Sequence, residues 1–303
     1  MYIIDFFKNL FRKRNAGLII WLVMNSALII AIFSNGFASW QGALIGFGLY
    51  VLSLVIALSP IGEWILRMQN GCKEMTDPED LDRIMPLFNE VYAKAKAQNP
   101  ELPDKVKLFV NDSDEPNAFA TGRKTVCLTR GLFNYSDEQI KGVFAHEFGH
   151  LAHKDTDAIL VVAVGNLIIT TIFVIFRVCA NIFMGVAQFI SALSDGIGGA
   201  IASLFTGLGR LVANVLLALL MRLWTQIGTW LCMSSSRGNE YEADEYAFDC
   251  GYGEPLCEVL ASFGSGGAKG LFATLASSHP DNDKRIAIIR SLGQATDYSQ
   301  IGQ

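Results

Sequence analysis

The sequence predicts an α-rich membrane protein in which four transmembrane helices carry an α+β domain with a small sheet. Three observations lead to it. Four apolar runs each approach the ~17 to 25 residues that span hydrocarbon. Hydrophobic residues make up 51% of the 303 residues and charged ones 17%, against about 25% charge in an ordinary soluble domain. The longer polar stretch changes from helical periodicity to short alternating runs and back to helical.

The runs are Ala16 to Phe33, Gly42 to Leu58, Ala158 to Phe176 and Leu211 to Leu231. Lys8, Arg12, Lys13 and Arg14 precede the first, whereas the loop from Ser34 to Gln41 carries no charge. The positive-inside rule therefore places the N-terminus in the cytoplasm. A cleavable signal peptide is the competing reading of the basic start, the apolar run and Gly36-Phe37-Ala38. The length of the run, and a second run close behind it, favour an uncleaved hairpin. Upstream, Tyr2, Ile3, Phe6, Phe7, Leu10 and Phe11 recur at helical spacing among Asp5, Lys8 and Asn9, the pattern of a helix lying at the interface. Between the last two runs, Arg177 to Arg210 is apolar and rich in small residues. Ala192, Gly196 and Ala200 form a small-xxx-small series suited to helix packing, with a flexible or re-entrant connector as the alternative.

A net charge of −5 gives no reason to expect a nucleic-acid partner, because phosphate binding needs clustered Lys and Arg. The six cysteines form no CxxC pair and no regular spacing, which points to reduced thiols rather than a zinc ribbon or a disulfide scaffold.

Four segments result: a membrane hairpin over 1–60, the first part of a polar domain over 61–157, a second membrane hairpin over 158–233 and the rest of the polar domain over 234–303. In the first polar part, Asp77-Pro78-Glu79 is an N-cap with Pro at the first helical position, and Leu81, Ile84, Met85, Phe88, Val91, Tyr92 and Ala95 follow at helical spacing. Val106 to Val110, Asn117 to Thr121 and Thr125 to Thr129 read as strands, the last two joined at Gly122-Arg123-Lys124 as a hairpin. Ser136-Asp137-Glu138-Gln139 is a capping box, and Ile140, Val143, Phe144, Phe148 and Leu151 continue it as a helix.

That helix carries His146-Glu147-Phe148-Gly149-His150, the zincin motif. Residues four apart share a helix face, so two imidazoles can grip one Zn²⁺ with Glu147 beside the open position. Three of the four histidines fall within eight residues, which packing alone does not require. A catalytic zinc needs a third protein ligand. His153 lies seven residues from His146, about 10 Å along the helix, too far to share the ion, and Thr156 occupies the place where a metzincin has its third His. The ligand must come from another element. Glu240, with Asp244 one turn on along a helix ending near Gly251, offers it, and Asp244 can fix the tautomer of a liganding His. Such a zinc lowers the pKa of its water towards about 7 and polarises a carbonyl, while Glu147 moves the proton. The implied chemistry is peptide-bond hydrolysis in a gluzincin-type zincin domain. His146 and Glu240 must share a compartment, which the N-terminal orientation makes the cytoplasm.

At these residues the chain resembles the HtpX-like membrane zinc peptidases, relatives of the prenyl-protein endoproteases that cut after CAAX cysteines. The resemblance covers nearly the whole chain. It rests on Asn117-Ala118-Phe119-Ala120-Thr121-Gly122, on Ala145 to His150 followed by Lys154-Asp155, on Ser236-Arg237 with Glu240 and Ala243-Asp244, and on Ser278-His279-Pro280 with Arg285-Ile286. It implies an endopeptidase of a bacterial inner membrane, facing the cytoplasm, with His146, His150 and Glu240 on one zinc and Glu147 as base. It also implies quality-control work on unfolded or membrane protein substrates at the lipid bilayer. Asn117, Ala118 and Phe119 would lie beside the cleft, where an exposed strand can pair with an extended substrate; a plain core strand is the alternative. His279, or Arg285 near it, would donate to the oxyanion, against the ordinary role of a His before Pro in a turn. Asp281-Asn282-Asp283-Lys284 and the loose stretch from Gly264 to Gly270 depart from the family pattern and bear on substrate preference. Two other readings stay open: a CAAX-type processing protease, and a catalytically silent zinc-binding membrane scaffold.

Overall fold

Two separate hydrophobic cores organise the chain, one among the apolar helices and one around the helix of the histidine motif. The structure, a computed structural model, describes residues 2–11, 15–193, 197–233, 236–263 and 282–301. It is mostly helical and bears out the predicted class. Among the described residues, four helical stretches are long and apolar enough to cross a membrane, Ala16–Phe33, Trp40–Ala57, Asp157–Ser191 and Ile201–Cys232.

The membrane part begins with α1 (Tyr2–Leu10), then α2 (Ala16–Phe33) and α3 (Trp40–Ala57), which pack as a hairpin, and α4 (Pro60–Gln69). The third run is not one helix. It divides into α7 (Asp157–Ala163) and α8 (Leu167–Ala192) at Val164 to Asn166. The interruption is satisfied from neighbours: Ser53 Oγ donates to the Gly165 carbonyl at 3.2 Å, and Asn166 Oδ1 accepts from Asn25 Nδ2 at 3.0 Å. Trp224 Nε1 closes the set on Asn25 Oδ1 at 3.1 Å. An unpaired polar group among apolar helices would cost several kcal/mol; the bond from Asn25 relieves Asn166 Oδ1, while Asn166 Nδ2 is left without a hydrogen-bond partner among the described residues.

The fourth run starts earlier than its hydropathy suggests, as α9 (Ile197–Met233). Within the stretch from Arg177 to Arg210, the described residues are helical over 177–192 and 197–210, with Leu193 in a turn. Arg177 and Arg210 do not break it because Nε of each donates to an Asn side chain across the pair, Arg177 to Asn214 at 2.8 Å and Arg210 to Asn181 at 2.7 Å.

In the polar part α5 (Pro78–Gln98) starts at an Asp77 cap that accepts from the Glu79 N–H. A four-stranded sheet follows, β1 (Lys73–Glu74), β2 (Lys107–Asn111), β3 (Ala118–Thr121) and β4 (Thr125–Thr129), in the order β1-β2-β4-β3. β2 and β4 are parallel, β3 and β4 antiparallel, and β3 is an edge. Helix α6 (Asp137–His153) runs between α5, β3, α10 (Ser236–Asp249) and α11 (Gly253–Ser262), with α12 (Asn282–Ile301) closing over the last two. Ile140, Phe144, Phe148 and Leu151 of α6 are all buried, each contributing about 1.5–3 kcal/mol. Phe88 meets both Phe144 and Phe148 edge-on at 5.2 Å.

Candidate metal centre

Helix α6 begins at the predicted capping box, Ser136 Oγ accepting from the Gln139 N–H and Gln139 Oε1 from the Ser136 N–H. Being buried nearly all round, it holds its polar residues in fixed positions. Gly149 lets α10 approach: a Cβ there would lie 2.9 Å from Ala243 Cα, closer than real side chains come. That contact brings Glu240, one turn before Ala243 on α10, over His146 and His150.

The three side chains converge. His146 Nε2 and His150 Nε2 are 3.2 Å apart, and each lies 3.5 Å from an oxygen of Glu240. Tetrahedral zinc with bonds of roughly 2.0–2.1 Å separates its ligand atoms by about 3.4 Å, so the spacing fits. Tautomers agree. His146 Nδ1 lies 2.9 Å from Asp244 Oδ1, and His150 Nδ1 3.5 Å from Asp155 Oδ2. With each Nδ1–H turned to a carboxylate, both Nε2 lone pairs and the Glu240 carboxylate face one point. Three acceptors in one buried pocket need a cation between them. His146, His150 and Glu240 are the group that can hold a metal ion among the described residues.

The charge on this cluster is managed from behind. Arg285, 4% exposed, donates through Nε and Nη2 to both oxygens of Asp244 at 2.7 and 2.6 Å, and its Nη1 lies 3.3 Å from Glu240 Oε2. This corrects the expectation of an oxyanion donor at Arg285, whose guanidinium is committed to the two carboxylates. Burial opposes ionisation of Asp244, but Arg285 and His146 outweigh it and hold its pKa below the usual carboxylate value. Burial likewise opposes a proton on His146 and His150. Asp244 and Glu240 at the first, and Asp155 and Glu240 at the second, outweigh it and push both imidazoles up.

Glu147 is buried beside the cluster, and its Oε2 accepts from the Ala120 N–H of β3 at 2.6 Å. Asn117, Ala118 and Phe119 lie half-buried at the start of that strand. Asn117 Oδ1 accepts from its neighbour Ala118 N–H at 2.9 Å, and Phe119 pairs with Cys127 on β4. His153 stays out of the cluster, its ring against Tyr246. His279 lies outside the described residues. Three contributors were not read from the sequence: Asp155 behind His150, Arg285 behind Asp244, and the Ala120 N–H. Asp155 had a signal, an Asp five residues past a ligand just where the helix ends. Lys154 adopts the left-handed conformation, φ +62°, and folds Asp155 back.

The profile of peptidase family M48 matches residues 79–292, more than half of the chain, from α5 into α12. The chain belongs to peptidase family M48. It is similar to Protease HtpX of Shewanella baltica (strain OS185), 27% identical over 270 residues that cover 82% of this chain and 86% of that protein. The same protease of Shewanella halifaxensis (strain HAW-EB4) is 28% identical with the same coverage. With its four apolar helices, this M48 member is a membrane metalloprotease.

Proposed function

We propose that the protein is a zinc-dependent endopeptidase that cleaves unfolded or damaged membrane proteins at the cytoplasmic face of a bacterial inner membrane. The observation that carries this reading is the convergence of His146 Nε2, His150 Nε2 and Glu240 on one point with Glu147 beside it. When bound, zinc supplies a Lewis acid that polarises a carbonyl and brings the pKa of a water near 7. Glu147 then accepts the proton of the attacking water at Oε1 while Oε2 keeps the Ala120 N–H, and delivers it to the leaving amine nitrogen. A carboxylate held on one oxygen has the other aimed and ready.

Strand β3 is paired only through β4 among the described strands, and an extended peptide can add along its outer edge at Ala118, displacing Asn117 Oδ1 from the Ala118 N–H beside the Ala120 N–H that Glu147 takes. An unfolded segment binding there lies next to Glu147, with Asn117, Ala118 and Phe119 beside its side chains. Such a site reads backbone more than sequence, which suits misfolded substrates better than a single prenylated tail. A silent scaffold has no use for a carboxylate at position 147. The cytoplasmic orientation rests on Lys8, Arg12, Lys13 and Arg14 before α2 and on an uncharged loop after it.

The test is to purify the full chain in detergent without chelators, count bound zinc, and incubate wild type and Glu240→Ala with an unstructured protein such as casein. Zinc near one per chain with cleavage by wild type, and both lost in Glu240→Ala, is the expected result. Full zinc occupancy in Glu240→Ala after dialysis would move the third ligand elsewhere. Cysteine labelling at Glu138 and Glu245, exposed in the two parts of the polar domain, from the same, cytoplasmic, side is expected, and opposite sides would break the topology.

A further inference from the structure

Away from the metal cluster, a second set of charges is buried where the membrane helices meet the sheet. At its centre is Arg123, in the turn between β3 and β4, 5% exposed. Its Nε and Nη2 donate to Asp157 of α7 at 3.2 and 2.6 Å, and its Nη1 to Asp5 of α1 at 2.7 Å. Nη2 also donates to the Tyr2 carbonyl at 3.1 Å, and the guanidinium lies over the Tyr2 ring, 4.7 Å from its centre. From the other side, Glu63 of α4 accepts from the backbone N–H groups of Arg123 and Lys124 at 3.4 and 3.1 Å and from Thr125 Oγ1 at 2.6 Å. Gly122, at φ +59°, leaves that carboxylate its space, since a Cβ would lie 2.5 Å from it. Thr156 Oγ1 donates to the Gly122 carbonyl. One two-strand turn is thus held by α1, α4 and α7.

The clamp at Arg123 sits three residues from the catalytic contact at Ala120. Ala120, whose N–H holds Glu147, lies just before Thr121 and Gly122 on the same strand. Because β4 is the one strand that pairs with β3 among the described residues, the position of the Ala120 N–H depends on the turn that joins the two. Helix α1, the third holder, has apolar residues on both sides. Phe6 and Leu10 are buried in the membrane core, while Ile4, Phe7 and Phe11 are exposed, 78% in the case of Phe11. A short helix with an outward apolar face and Lys8 beside it is suited to the lipid interface.

We propose that Asp5 and Arg123 are positioning residues for hydrolysis, through which lipid-seated α1 holds the β3–β4 turn and keeps the Ala120 N–H on Glu147. The proposal rests on the reading of Glu147 as base given above. It makes the bilayer surface part of the active site's support and couples catalytic rate to the seating of α1. Asp5 is the informative residue to change. Asp5→Asn removes one anion from Arg123 and leaves Asp157 in place, so the buried guanidinium keeps a partner and the chain still folds.

The experiment compares full-length wild type, Asp5→Asn and Asp5→Glu in nanodiscs of phosphatidylethanolamine and phosphatidylglycerol and in detergent. It measures hydrolysis of a soluble unstructured peptide, zinc per chain and amide hydrogen exchange. Asp5→Asn should lower kcat by between about tenfold and a hundredfold, the scale of a small misplacement of a catalytic group, with KM within about twofold and zinc unchanged. Exchange should quicken over residues 118–124 and not in α6, and Asp5→Glu should restore both readouts. Wild type should lose kcat on leaving the bilayer, and Asp5→Asn should lose little more. Wild-type kcat and β3 exchange in Asp5→Asn would overturn the proposal, as would faster exchange throughout the domain, the mark of a merely structural tie. If wild type cleaves nothing, the reading of Glu147 fails, while exchange over 118–124 still decides whether α1 holds the turn.

Discussion

Asp244 accepts both of its short hydrogen bonds from Arg285 while standing 2.9 Å from His146 Nδ1, so a single buried guanidinium sets the charge behind a metal-facing imidazole. An Asp alone at that depth would resist ionisation. Paired with Arg285 it stays an anion, accepts the Nδ1–H and leaves the Nε2 lone pair for the metal.

Arg285→Met, close in length and uncharged, should therefore strand Asp244. Breaking a buried pair by removing one partner costs about 3–5 kcal/mol, and losing such a support typically lowers metal affinity about 10–100-fold. Thermal unfolding and chelator competition measure the two effects. Adding Asp244→Asn to Arg285→Met should recover part of the stability without recovering the affinity. Wild-type zinc affinity in Arg285→Met would contradict this role.

Gly149→Val tests whether the approach of α10 to α6 sets the third ligand. A Cβ at that position meets Ala243 Cα at 2.9 Å and Tyr246 Cβ at 3.1 Å. The helices must part, at a cost of about 1–3 kcal/mol, and Glu240 moves with α10. Zinc affinity should drop with both histidines intact. A variant that is less stable yet binds zinc as before would show that Glu240 is placed by something other than this contact.

Acid should release the metal before it breaks the support behind it. Both imidazoles are pushed above the ordinary value near 6.5 in the metal-free fold. A raised pKa stabilises that fold fully below the ordinary value, and the contribution is lost as pH rises through the raised one. Zinc needs both Nε2 atoms unprotonated, so its affinity should fall on acidification from above pH 6.5, approaching about 100-fold per unit once both rings bind protons. Asp244, held below the usual carboxylate value, stays ionised across that window. Chelator competition from pH 6 to 8 checks it, and a flat profile would be incompatible with imidazole ligation.

Much of this was legible because local rules and tertiary packing agree. Ser136 to Gln139 forms the capping box it spells, and Asp77-Pro78 starts α5. The i, i+4 spacing of His146 with His150, and of Glu240 with Asp244, becomes two helix faces turned to each other. What escaped has no local periodicity. The parallel pairing of β2 with β4 and the two-residue β1 are choices of the whole sheet. The interruption at Val164 to Asn166 lies inside an unbroken hydropathy signal and depends on Asn25 and Ser53 far away in sequence. Arg285 looked available for substrate because a sequence does not show that Asp244 takes the Nε and Nη2 edge of its guanidinium while Nη1 faces Glu240.

The most direct test of the central claim is Glu147→Gln, measured for bound zinc and for cleavage of an unstructured protein beside wild type. Gln keeps the size and can still accept from the Ala120 N–H, but it cannot take a proton at working pH. Zinc near one per chain in both proteins, with turnover lowered at least about 100-fold in the variant, is the predicted result. Cleavage by Glu147→Gln at the wild-type rate would remove Glu147 from the chemistry and contradict the account.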